Sequence, residues 1–188
     1  ALVCMNVRAS SSVNGEITLS AKSFNTDVNH EIAPVYQTVT VRKGDNLFEM
    51  ELPMGQDFLI WDEFSPALYR LTATLKNGKQ IETKQIQFGM REFTINGKWF
   101  YINGRKTMLR GTVENCDFPL TGYVPMDVAS WERVFRICRS YGLNHMRFHS
   151  YCPPEAAFIA ADLVGFYLQP EGPSWPNHGP KLGNGQPI

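Results

Sequence analysis

Two periodicities divide this chain. In its first half apolar and polar positions alternate: Glu16-Ile-Thr-Leu-Ser-Ala-Lys22, Thr38-Val-Thr-Val-Arg42, Leu47-Phe-Glu-Met-Glu-Leu52 and Tyr69-Arg-Leu-Thr-Ala-Thr-Leu75 each send every second side chain to one face. A strand buried on one side requires that period of two. Asn14-Gly15, Lys43-Gly44-Asp45 and Asn77-Gly78 contain residues that tolerate positive φ, so a turn is expected at each. Lys76-Asn-Gly-Lys79 is the strongest hairpin signal. With Leu2 to Ala9 and Gln80 to Phe88, the pattern predicts about seven short strands, the count of an immunoglobulin-like β-sandwich. The Cys-Trp-Cys pattern of antibody domains is absent, so the expectation concerns architecture alone.

After Phe88-Gly-Met-Arg91 the texture changes, which places a domain boundary between residues 1–90 and 91–188. Phe93 to Lys106 carries two Asn-Gly pairs between short apolar runs and predicts a small hairpin. From Asp127, a suitable N-cap, Trp131, Val134, Phe135, Cys138 and Tyr141 recur at helical spacing until Gly142. A second helix is expected to open at Pro153-Pro154-Glu155 and end at Gly165. Strand-like runs Arg110 to Asn115, Asn144 to His149 and Phe166 to Glu171 flank these helices, giving β-α-β-α-β. So short a parallel sheet leaves an edge unpaired. The chain is therefore expected to be part of a larger enzyme, and of the piece either self-association into a homo-oligomer through that edge or a flexible tail after Gly172 is expected. Residues 173–188 read as loop.

Acidic and basic residues balance at 18 each, without a basic cluster, which argues against nucleic acid or an anionic membrane surface as partner. No apolar run approaches the length of a membrane span, and the chain opens in strand-like sequence, so any export signal is expected to have been removed or to lie upstream. Cys4, Cys116, Cys138 and Cys152 show neither C-x-x-C pairing nor the density of a disulfide scaffold. His149 and Cys152 make an isolated H-x-x-C without a second ligand pair nearby; no metal site and no cofactor is expected.

In βα folds the chemistry gathers at the carboxyl ends of the strands. Here those ends carry Glu114, Asn115 and Asp117, then His149, Ser150 and Tyr151, then Glu171, Trp175 and His178. Carboxylates, imidazole and indole grip sugars, by hydrogen bonds to hydroxyls and by stacking on the ring. His149, Glu171, Asn115, Asp117 and Trp175 form the expected substrate-binding set, with an oligosaccharide or glycan as partner. Each has a structural alternative: Arg147 as an ion pair within the sheet, Glu114 and Asp117 as solvated loop acids, Trp175 as a packing anchor.

Ile60-Trp-Asp-Glu-Phe-Ser-Pro-Ala-Leu-Tyr-Arg-Leu71, Phe88-Gly-Met-Arg91, Phe100-Tyr-Ile-Asn-Gly-Arg-Lys106 and Leu109-Arg-Gly-Thr112 occur in an order that resembles the successive landmarks of glycoside hydrolase family 2. The resemblance implies an immunoglobulin-like sandwich followed by the first three βα units of a (β/α)8 TIM barrel, truncated. It also implies a bacterial, periplasmic or secreted retaining enzyme acting on β-linked sugars. Arg147-Phe-His-Ser-Tyr151 resembles the family's Arg-x-Ser-His-Tyr strand end, with His149 displaced by one place. Tyr167-Leu-Gln-Pro-Glu171 resembles a strand that usually ends Asp-Glu-Ala, with Pro170 in place of the Asp. By the same resemblance both catalytic carboxylates lie beyond Ile188, so no catalytic residue is assigned within the chain and the piece is expected to be inactive. Two other readings are a noncatalytic β-sandwich that binds carbohydrate or protein, and an aldolase-like barrel. The latter needs a lysine at a strand end, and the three ends have none.

Overall fold

The structure, a computed structural model, describes residues 1–172. Two compact units emerge, one of Ala1–Trp61 with Ala67–Arg91, the other of Asp62–Pro66 with the residues from Glu92 onward. Trp175 and the rest of the expected loop after the third parallel strand lie outside the described residues.

Strands β1 (Leu2–Ala9), β2 (Val13–Phe24), β3 (Glu31–Val41), β4 (Gly44–Glu51), β5 (Leu68–Asn77) and β6 (Gln80–Phe88) build the first unit. β3-β2-β5-β6 form one antiparallel sheet and β1-β4 another. The alternating apolar positions meet in one core, where Ile17, Leu19, Val39 and Leu71 of the larger sheet cluster with Met50, Val3 and Met5 of the smaller. Ile17, Leu19, Val39, Leu71 and Met50 are buried, and full burial of such a side chain contributes about 1.5–3 kcal/mol; Val3 and Met5 are partly buried and contribute less. Six strands occur here, one for each run named from the sequence, against about seven expected; residues 53–66 form no named strand, and Ile60 makes an isolated parallel bridge to Met90.

Asn14-Gly15 corrects a second expectation. It lies inside β2 and not in a turn, paired with Thr40 and Val39. A Cβ on Gly15 would sit 2.8 Å from the Lys76 carbonyl oxygen, so glycine answers close backbone approach and not a left-handed turn. The turn falls at Ser10 to Ser12. Asn77-Gly78 behaves as expected: Asn77 pairs with Gln80 across a two-residue loop, with Gly78 at φ 57°. Pro34 is tolerated in β3 because that strand is at an edge and its register shifts opposite Leu19 and Ala21. Two landmark motifs interlock: the Trp61 amide donates to Met90 O at 2.9 Å, Arg91 lies over the indole at 4.9 Å, and a Cβ on Gly89 would meet Trp61 Cβ at 2.9 Å.

The second unit opens with an antiparallel meander, β7 (Phe93–Asn96), β8 (Trp99–Ile102) and β9 (Arg105–Thr107), one strand more than the expected hairpin because both Asn-Gly turns are used. Then follow β10 (Gly111–Glu114), α1 (Val128–Ser140), β11 (His145–Phe148), α2 (Glu155–Val164) and β12 (Tyr167–Gln169). The last three strands form a parallel sheet in the order β10-β11-β12. Asp127 accepts from the Ser130 amide as N-cap of α1, and Gly165 ends α2 in the left-handed conformation. Trp131 and Phe135 of α1 pack with Met146, Phe148, Phe166 and the alanine face of α2; Phe135 stacks on Phe166 at 4.9 Å. Small side chains on α2 let the helices approach closely. No helix among the described residues is long and apolar enough to cross a membrane.

Asp62–Pro66 serves the amino end of the parallel sheet. Glu63 is buried and takes an ion pair from Arg110 at 3.3 Å, while a Cβ on Gly165 would stand 3.0 Å from the Glu63 carbonyl oxygen. Asn144, also buried, accepts from the Arg110 amide at 2.7 Å and donates to Met108 O at 3.1 Å. Arg139 donates to the carbonyls of Val164 and Gly165.

Candidate functional site

Strand register sorts the polar side chains. Parallel partners share a face, and Glu114 is opposite Phe148, whose ring is in the helix-covered core. Val113 is opposite Arg147, and Arg147 opposite Gln169, so these three occupy the other face. Period two then assigns Asn115, His149 and Glu171 to that second face at the carboxyl end. One side of the sheet is packed on the helices, with Glu114 at its carboxyl end. The other carries an amide, an imidazole, a guanidinium and a carboxylate together.

Their contacts follow. The His149 amide donates to Glu114 O at 2.9 Å, continuing the ladder, and His149 Nδ1 lies 3.1 Å from Asn115 Oδ1. Since that oxygen can only accept, the contact selects the Nδ1–H tautomer and leaves Nε2 as an acceptor. Arg147 grips Glu171 with Nε to Oε1 at 2.6 Å and Nη2 to Oε2 at 3.2 Å; the Ser150 amide adds a bond to Oε2 at 2.9 Å. The Glu171 amide returns to Tyr151 O at 3.1 Å. Hydrogen bonds from Arg147, then from Ser150, hold the Glu171 carboxyl below its ordinary value.

Glu114 behaves oppositely. Its Oε1 accepts from the amides of Cys116 at 2.8 Å and Asp117 at 3.4 Å, while Oε2 is buried without a hydrogen-bond partner. Burial pushes its pKa up, against the pull of those amides. Cys116, at φ 59°, is the left-handed residue this tether requires. Asp117 enters the cluster through its amide; its side chain is exposed.

Of the expected set, the structure joins His149 to Asn115, brings Glu171 beside them through Ser150, and leaves Asp117 on the rim. Trp175 lies outside the described residues. Arg147 is the residue the expected set lacked, and its place two before His149 on one strand face was the available signal. The described residues contain no cluster of three or more metal-ligating side chains, and all four cysteines are free.

Residues 1–91 match the family described as Glycosyl hydrolases family 2. It is 29% identical over 131 residues to a β-galactosidase of Thermoanaerobacterium thermosulfurigenes, covering 69% of this chain and 18% of that protein. It is 31% identical over 128 residues to a putative β-glucuronidase of Formosa agariphila, covering 66% of this chain and 15% of that protein. The chain therefore spans less than a fifth of the length of these relatives. In fold, 92% of it superposes on 21% of a Bacteroides uniformis β-glucuronidase at 20% identity with a TM-score of 0.77. A family 2 β-galacturonidase from Eisenbergiella tayi bound to galacturonate gives 0.71 at the same identity, over 91% of this chain and 29% of that one.

Proposed function

We propose that this chain is the sandwich and the opening three βα units of a (β/α)8 barrel in a retaining glycosidase that hydrolyses β-linked sugars, and that the 188-residue piece alone does not turn over. The observation that carries the reading is the polar face of the parallel sheet, where Asn115, Arg147, His149 and Glu171 converge at the carboxyl ends of the strands in a chain whose first half matches a hydrolase family. In a barrel that face is the lumen, and its carboxyl rim binds substrate. His149 Nε2, freed by the bond at Nδ1, suits a sugar hydroxyl as donor, and Asp117 on the rim offers a second acceptor.

Retention requires two opposed carboxylates about 5–5.5 Å apart, one protonating the leaving oxygen and one attacking the anomeric carbon. Two of the acids at this rim are otherwise engaged, Glu171 neutralised by Arg147 and Glu114 turned to the helix side and tethered by two amides, which leaves Asp117 as a single rim acid where retention needs two. Aryl β-galactosides and β-glucuronides test the proposal. The 188-residue chain is expected to release no aryl alcohol, whereas the enzyme carried past Ile188 is expected to release it with retained configuration. Turnover by the short chain, abolished by Glu171→Gln, would overturn the assignment. Sugar binding without turnover in the long protein would support the noncatalytic sandwich instead.

A further inference from the structure

We propose that Glu171 is a positioning residue: its carboxylate, braced by Arg147, holds Ser150 in the left-handed conformation and thereby fixes His149 against Asn115 as a single tautomer. The inference rests on the reading of this rim as the sugar site, and it changes the part Glu171 plays there, from ligand contact to support.

Ser150 has φ 64°, a left-handed conformation that is unfavourable for a residue with a Cβ and persists where neighbours over-determine it. Two bonds do so here. The Ser150 amide donates to Glu171 Oε2, and the Glu171 amide donates to Tyr151 O, closing a ring of contacts around residues 150 and 151. The same carboxylate is gripped by Arg147, which stands two residues before His149 on one strand face. Glu171 thus reads both ends of the short turn that carries His149. On the other side, the His149 amide is bonded to Glu114 O and its ring to Asn115. Edge contact between Tyr151 and Phe148 at 5.5 Å ties the far end of the turn to the core. An anion at Glu171 is therefore needed twice, for the guanidinium and for the amide, and a neutral isostere satisfies neither fully.

The test uses nitrogen-15 NMR of the 188-residue chain without sugar, so its result does not depend on whether the parent cleaves glycosides. Wild type is expected to show His149 as the Nδ1–H tautomer and a Ser150 amide protected from exchange. In Glu171→Gln, Ser150 exchange should rise by about tenfold or more with the loss of a charge-assisted bond, and His149 should become a tautomer mixture. Ser150→Gly in the same background removes the Cβ penalty and should return His149 to one tautomer. The exchanged pair Arg147→Glu with Glu171→Arg restores an ion pair but places no carboxylate on the Ser150 amide, so it should recover stability without recovering the tautomer. An intact Glu171→Gln chain with unchanged Ser150 exchange and unchanged His149 would overturn the proposal. If Glu171→Gln fails to fold, the Ser150→Gly combination decides: a folded chain with one His149 tautomer supports the positioning role, and anything else refutes it.

Discussion

At the scale of single residues, the two acids of the rim pull stability in opposite directions with pH. Glu171 is held below its ordinary value of 4.5, so the unfolded chain binds its proton first as pH falls; the stabilisation is present above pH 4.5 and is lost as pH drops through the lowered folded value. Glu114 is raised above 4.5, so the unfolded chain ionises first as pH rises; folding is favoured below 4.5 and loses ground between 4.5 and the raised folded value. Glu114→Gln keeps an amide-accepting oxygen and removes that ionisation. Its stability relative to wild type should therefore improve as pH climbs from below 4.5 to neutrality, and Glu171→Gln should worsen over the acidic range just described; urea melts at a series of pH values check both. Gly111 supplies a second residue-scale prediction. A Cβ there would collide with His145 Nδ1, on the partner position of β11. Gly111→Ala should cost about 1–3 kcal/mol, the usual overpacking penalty, and His145→Ala should relieve most of it in a double-mutant cycle. Asn144→Ala leaves the Arg110 amide and the Met108 carbonyl without their partner and should cost about 2–4 kcal/mol by thermal melt.

At the scale of elements, what could be read from the sequence was what is local. Asp127, Gly142 and Gly165 bound the two helices by capping chemistry that depends on a few neighbouring residues, and alternation in β2, β4 and β5 follows from one buried face. Asn14-Gly15 misled because its signature is shared by tight turns and by strands crossed closely by another backbone; only the Lys76 carbonyl, 61 residues after Gly15, distinguishes them. The candidate site shows the same split. His149 and Asn115 were visible as polar residues at strand ends, whereas the engagement of Glu171 by Arg147 and Ser150 depends on strand order, and the burial of Glu114 on which face Phe148 takes. Asp62–Pro66 was the least legible element. Its motif lies between β4 and β5, yet its contacts belong to the second unit, through Glu63 on Arg110, Asp62 on Arg105 at 3.2 Å and Phe64 under the Arg105 guanidinium at 5.0 Å. Glu63→Ala removes the ion-pair partner of a half-exposed Arg110 that still donates to the carbonyls of Gly142 and Met108, so the expected cost is reduced from the full buried-pair value to about 1–3 kcal/mol.

At the scale of the molecule, the two units do not correspond to two continuous stretches of chain, and that fixes how fragments should behave. A cut after Arg91 keeps all six strands and the whole core cluster of the first unit together, so residues 1–91 are expected to give a cooperative β-type thermal transition. The complementary piece, 92–188, loses Asp62–Pro66. Arg110 then lacks Glu63, Arg105 lacks Asp62 and Phe64, and the backbone at Gly165 loses the segment against which it lies. β10 and β12 are in addition the two edges of a three-stranded parallel sheet, whose unpaired amides and carbonyls invite association. The excised second unit should thus melt earlier than in the whole chain and associate with rising concentration in analytical ultracentrifugation. Joining residues 60–68 to its amino end through a flexible Gly/Ser linker should recover part of the loss, and a Glu63→Ala version of that graft should recover less. Equal melting of the bare and grafted pieces would show that Asp62–Pro66 contributes nothing to the second unit's stability.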